Sequence, residues 1–297
     1  MSAELTPQTE QIVAGVNREL ESRYSLDGAA VDPGSVTVTV TRLDGSALVT
    51  DGVTTEGSLG QRTYPLTAAQ LLQPDVLTAV WTSDTLGVYT QTIEVVGAAL
   101  FTIEHARRFD SGALKNASKY PARDIEALRE TIGDEFERVA GVAFVPRVAR
   151  ELVRGNGQRV LYLPHERVTT VRSVEVLRPT GWELWPQADI DAIQIGTRYG
   201  VSLRSGATWP SEYEHLRVTY VHGYKTPPAP VVNAALLYLR YLIVDSNVGA
   251  RTISATNEYG SEQYWTPGYS GRGSAINELP FVDKTLRQYA IPAVGVA

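Results

Sequence analysis

Few residues in this chain have the type and spacing for chemistry. It has four histidines and no cysteine. His105, His165, His215 and His222 show neither HExxH nor HxH spacing, so no two are set to share a metal ion from one element. His215 and His222 stand at opposite ends of a predicted strand and read as strand or surface residues. The lack of cysteine excludes a disulfide framework, a thiolate zinc site, an iron–sulfur cluster and a thiol nucleophile. There is no GxSxG, no GxxxxGK[ST] and no GxGxxG opening a helix. Gly155-Asn156-Gly157 is a turn, not a phosphate cradle. Asp189 and Asp191 flank Ile190 and in a strand would share one face as paired carboxylates. No second acidic cluster lies near them, so an exposed strand edge is the simpler reading, as it is for Glu212 and Glu214. The chain is expected to be no enzyme, with no catalytic residue, no cofactor and no metal.

Other residues suggest contact. Arg147, Arg150, Arg154 and Arg159 form the densest basic run, offset by Glu151. They read as a solvated hairpin face, or as a basic surface for an acidic partner or for passing DNA phosphates. On that reading Arg150→Ala and Arg154→Ala leave the fold intact. Tyr259, Tyr264, Trp265 and Tyr269 lie in a Gly/Ser/Thr/Tyr-rich stretch, where aromatics mark an interface or pin the loop down. Leu279, Phe281, Val282, Leu286 and Tyr289 gather on a short C-terminal helix. On a long arm such a helix either docks on a partner or folds back on its own domain.

The elements carrying these residues fall into two halves. Residues 1–98 hold four basic and twelve acidic side chains, net −8, and residues 99–297 are net +2. Val36 to Thr41 alternates strictly, bounded by Asp32-Pro33-Gly34 and Asp44-Gly45. Further strands are predicted at Arg18–Ser25, Arg62–Leu66, Val76–Thr82 and Val88–Val96. Short strands at this spacing fit a β-sandwich with Trp81 in its core, and without cysteine it is no antibody-type domain. The composition shifts near Gly97. Thr102–Arg108 reads as a short helix. A clear amphipathic one follows Tyr120-Pro121, with Ile125, Leu128, Ile132, Phe136 and Val139 inward, Glu130, Asp134, Glu137 and Arg138 solvated, and Gly141 as its stop.

Val148–Arg154 and Arg159–Leu163 flank Gly155-Asn156-Gly157-Gln158 and read as a hairpin. Val168–Leu177, Val201–Arg204 and Leu216–Val221 are further strands. Pro227-Pro228-Ala229-Pro230 leads into a helix to about Val248. It is apolar nearly all round, with Val231, Ala235 and Leu239 on one side and Leu237, Tyr241 and Val244 on the other. A helix apolar on all faces is buried, so a partner subunit is expected to supply one wall. Its apolar stretch is too short for a membrane span, and the N-terminus shows no secretory pattern. A net charge of −6 argues against wholesale nucleic-acid binding. The expected domains are 1–98, 99–250 and an extended arm at 251–297.

Several ordered pieces carry a resemblance. They are Tyr120-Pro121 with a helix ending Phe136-Glu137-Arg138-Val139-Ala140-Gly141-Val142-Ala143-Phe144-Val145-Pro146-Arg147, then Arg159-Val160-Leu161-Tyr162-Leu163-Pro164, Val171-Arg172-Ser173-Val174, Val221-His222-Gly223-Tyr224, and Leu279-Pro280-Phe281-Val282-Asp283-Lys284-Thr285-Leu286. Over roughly residues 100–290 the chain resembles the head-to-tail connector (adaptor) proteins of long-tailed bacteriophages. The first half looks like the immunoglobulin-like extension that some phages of actinobacteria place before that domain. The resemblance implies an α+β protein, an N-terminal all-β immunoglobulin-like sandwich followed by a mainly helical connector domain with an inserted β-hairpin or small sheet. It also implies a virion neck protein, found in the host cytoplasm during assembly. Its ring, commonly of twelve copies, would contact the portal protein, the next neck protein and, non-specifically, double-stranded DNA in the lumen, but no membrane. Stopper or tail-terminator roles, a carbohydrate or cell-surface binding module, or a hydrolase with its site built from Asp189, Asp191 and a histidine are the alternatives.

Overall fold

The structure is a computed structural model describing residues 10–196, 200–203, 207–211, 215–244, 254–257, 260–263 and 279–290. It combines several sheets with a few helices, and most of its regular structure is strand. The chain groups into two compact units, residues 1–98 with 145–225 and residues 99–144 with 226–297. A unit boundary falls at 98/99, whereas the expected 99–250 domain is divided between the units and no unit boundary falls at 250.

The first unit opens with β1 (Glu10–Val13), β2 (Arg18–Arg23), β3 (Ser25–Leu26), β4 (Ala29–Ala30), β5 (Val36–Arg42), β6 (Ala47–Val53), β7 (Thr55–Glu56), β8 (Gln61–Leu66), β9 (Asp75–Ser83) and β10 (Gly87–Val96). One sheet runs β1-β10-β9-β5-β6 and another β2-β8-β7. The predicted alternation is real. Val36, Val38 and Val40 point into the core with Leu77, Ala79, Trp81, Ile93 and Val95, opposite Leu20 and Leu66 from the second sheet. Trp81 is fully buried, and its indole N–H donates to Gln91 Oε1 at 3.2 Å, so the ring is packed without an orphaned donor. This arrangement fits the expected N-terminal sandwich. β1 and β6 were not foreseen. β1 pairs parallel with β10, and Thr-Asp-Gly in β6 hides its register.

The same unit resumes with β11 (Arg147–Arg154), β12 (Val160–Tyr162), β13 (Thr170–Arg178), β14 (Gly181–Leu184), the short α-helix Gln187–Asp191, β15 (Gln194–Ile195), β16 (Gly200–Ser202) and β17 (His215–His222). They form sheets β11-β17-β13-β14 and β12-β16-β15 around a second core of Val171, Val174, Val176, Leu216, Val218, Tyr220 and Trp209. The expected hairpin at 148–163 does not form. β11 pairs with β17 and β12 with β16, in different sheets. Gly157 N–H donates to Pro210 O and Trp209 N–H to Gln158 O, so the turn is tied to a distant segment instead of closing locally. The insertion is thus a two-sheet module, larger than the small sheet expected. Asp189 and Asp191 lie on its short helix, not on a strand, because Pro186 opens a helical turn there.

The second unit contains α1 (Ile103–Arg108) and α2 (Ala122–Ala140). With the Gln187–Asp191 helix of the first unit as α3, the later helices are α4 (Ala229–Val244) and α5 (Pro280–Tyr289). Thr102 caps α1 by accepting from His105 N–H. α2 buries Ile125, Ile132 and Phe136 and ends at Gly141, whose φ of 69° is the left-handed C-cap that glycine adopts without strain. Glu137 is not simply solvated, since its Oε1 accepts from Phe144 N–H. α4 packs on α2 and α5. A strand pair, β18 (Ser254–Asn257) and β19 (Gly260–Gln263), lies in the 251–275 stretch.

Candidate functional site

The basic run is the first site to build from its residues. On β11 the even-numbered side chains share one sheet face, which places Val148, Arg150, Leu152 and Arg154 in a line. Cross-strand register sets Arg217 of β17 beside Leu152, and Glu175 of β13 beside Arg217. Glu175 therefore sits between two guanidiniums, Arg150 Nη2 at 2.8 Å from Oε1 and Arg217 Nη1 at 3.0 Å from Oε2. Arg150 Nη1 also donates to Leu43 O at 2.5 Å, and Arg147 pairs with Glu94 at 2.5 Å. Gly97 N–H donates to Pro146 O.

Arg147 and Arg150 are therefore not a free contact surface. They join the inserted β module to the acidic sandwich, so they are not the open basic surface expected. Of the three candidates only Arg154 is exposed. The sequence showed the charge run but not its partners, because Leu43, Glu94 and Glu175 meet it only through long-range register.

A second cluster was missed. His165 and His222 stack with ring centroids 4.1 Å apart, and His165 Nδ1 lies 2.8 Å from the Tyr220 hydroxyl. Glu151 Oε1 is 3.8 Å from the same nitrogen. Burial pushes His222 down to about 3, with the charges of His165 and Arg147 adding to it. Burial also lowers His165, against the opposing effect of Glu151. Tyr220 is held protonated by burial and by Glu151. At neutral pH the rings are therefore uncharged and serve as a packed stack. No signal in the sequence joins residues 57 positions apart. Among the described residues no group of three His, Asp or Glu side chains is placed to hold a metal ion.

The helical candidates divide. Val282 and Leu286 are fully buried within the helical unit, Leu279 and Tyr289 are half-buried, and the Tyr289 ring meets Phe144 edge-on at 5.9 Å. Only Phe281, 55% exposed, remains open. The docking-arm reading is corrected to that extent, since α5 folds back on its own unit. On α4, Val231, Ala234, Ala235, Leu236 and Leu239 are buried, whereas Leu237 and Tyr241 are half-buried. Tyr238 stacks on Phe136 at 6.1 Å and on Tyr241 at 6.4 Å. The Val244 side chain, Glu212, Glu214, Tyr259, Tyr264, Trp265 and Tyr269 lie outside the described residues. No helix among the described residues is long and apolar enough to cross a membrane.

No family model matches the chain, and no curated protein matches it. Among solved structures it is similar to a chain in the neck of an empty GTA particle computed with C6 symmetry. The identity is 11%, the match covers 59% of this chain and 81% of that one, and the TM-score is 0.39. A chain in the neck of a native GTA particle computed with C12 symmetry is 13% identical, with 61% and 93% covered and a TM-score of 0.37. The IG1–IG1 heterodimer of ZIG-8 and RIG-5 gives 18% identity, 31% and 85% coverage and a TM-score of 0.22. Overlaps of this extent establish neither a shared fold nor a shared role.

Proposed function

We propose that this chain is a structural protein of a phage-like virion neck. It forms a ring beneath the portal, prolongs the DNA channel and joins head to tail by assembly, not turnover. The observation that carries the reading is the build of the helical unit. α2, α4 and α5 pack together although the whole 145–225 module intervenes between α2 and α4. That is the order the resemblance implies, helices for the ring wall with a β insertion between them. The half-buried Leu237 and Tyr241 on α4 supply apolar surface for a neighbouring subunit, since apolar side chains left open on a helix gain from burial.

A ring arises from identical heterologous contacts, each copy presenting two different surfaces. The acidic sandwich, net −8, suits the outside of such a ring. A lumen of weak or mixed charge lets DNA slide, because each neutralised phosphate adds salt-sensitive affinity.

Electron-microscope imaging of the chain mixed with the portal protein of the same genome tests this reading. The expected result is a second ring stacked on the portal, with about twelve densities in cyclic arrangement. Bare portals beside free monomers would overturn it.

A further inference from the structure

The four-stranded sheet β11-β17-β13-β14 has one face on the inner core, and its other face is divided. At one end the chain's own sandwich covers it. Val148 and Val221 are buried, and Arg150 reaches Leu43 O in the β5–β6 turn. At the other end the register lines up Leu152, Arg217, Glu175 and Leu184, then Arg154, His215, Leu177 and Trp182. The solvent face of an antiparallel sheet is ordinarily polar. Here Leu152 and Leu184 are each 61% exposed, Leu177 42% and Trp182 39%. Arg217 lies over the Trp182 ring at 4.0 Å and pairs with Glu175, so a fixed charge pair sits among four open apolar side chains. β14 is also an edge strand with all four residues exposed. Open apolar side chains on a sheet face, three of them at its β13–β14 edge, mark an interaction surface.

Charge identifies the occupant. The open half of the face carries Arg154 and Arg217 against Glu175 alone, so it is basic. The strongly acidic part of this chain is its own sandwich, net −8 over residues 1–98, which already covers the other end of the face. The edge running from the end of β6 past β7 is both acidic and apolar, although Glu56 also pairs with Arg62 at 3.4 Å. Asp51, Val53, Glu56 and Leu59 are all exposed, Val53 by 82% and Leu59 by 64%. Each copy therefore carries a basic apolar face and, on different residues, an acidic apolar edge.

We propose that the open half of this sheet face is a copy-to-copy docking surface, covered by the acidic β6–β7 edge of a second copy's sandwich. The contact is heterologous, so it propagates into a ring or a filament and does not stop at a dimer. The inference rests on the ring reading above and names the surfaces that would close it.

The test uses the full-length chain with Leu184→Glu and Val53→Arg variants. Both side chains are mostly exposed, so the monomer fold is kept, and circular dichroism and melting curves check this. Sedimentation velocity on the wild type is expected to show higher assemblies. Each variant alone should associate at least ten-fold more weakly. Mixed together, the two variants should regain pairwise association of wild-type strength, because each retains the one surface that the other lost. A wild type monomeric at every concentration overturns the proposal. So does assembly of either folded variant like the wild type, and that result would leave the ring reading standing through other surfaces. Portal-stacked rings from both variants would do the same.

Discussion

Removing the Glu175 carboxylate should loosen the joint between the sandwich and the inserted β module. Its oxygens lie 2.8 Å from Arg150 and 3.0 Å from Arg217. The three side chains are 17%, 20% and 26% exposed. Breaking a fully buried pair costs roughly 3–5 kcal/mol, because the remaining charge is left in low dielectric. Here about a fifth of each group still reaches water, which screens the loss, yet two like charges would be left facing each other. An expected cost of about 2–3 kcal/mol follows. Glu104 is the internal control. Its partner Arg108 stands at 3.4 Å, both side chains are more than 70% exposed, and Glu104→Ala should cost under about 0.5 kcal/mol. Urea unfolding of wild type, Glu175→Ala, Arg217→Ala and the double variant gives the coupling energy directly, with two probes checking that each unit's transition is separately two-state. Glu175→Ala within 0.5 kcal/mol of the control would refute the reasoning that this carboxylate holds the joint.

Three further outcomes are expected. His222 is buried with its acidity shifted to about 3, below the unfolded 6.5, so the unfolded chain binds more protons between those values. Stability should be full above pH 6.5 and fall by about 1.4 kcal/mol per unit below it. His222→Phe should flatten that slope in melts between pH 7 and 5. Leu286→Ala should destabilise the helical unit by about 2–5 kcal/mol in chemical denaturation, since the side chain is fully buried there, and deleting residues 278–297 should yield aggregating material and not a soluble domain. Gly97→Ala should lower the melting temperature, because a Cβ there would meet Pro146 at 2.8 Å and Pro74 at 3.1 Å, both rigid rings.

Elements set by local period were legible from residues alone. Strict alternation marked β5, and spacing of three and four marked α2, with Gly141 as its stop and Trp81 as a core residue of the sandwich. These depend on side chains near one another in sequence, where hydrophobic period and capping chemistry act directly. The GNGQ stretch shows the opposite case. Its local turn signal is genuine, but the strands on either side find partners about seventy and about forty residues away, in β17 and β16. Cross-strand pairing is chosen by which faces can be buried, and that is a property of the whole sheet.

The same holds for the candidate site. Composition already showed an acidic first half and an arginine run, and the missing cysteine excluded thiol chemistry. Tertiary structure decided what the charges do. Arg147 and Arg150 are held by Glu94, Leu43 and Glu175, the paired histidines stack, and the C-terminal helix turns inward. A charge run or an apolar stripe states what a surface could bind. Whether the chain itself satisfies it first depends on long-range register and burial, which no local window of sequence contains.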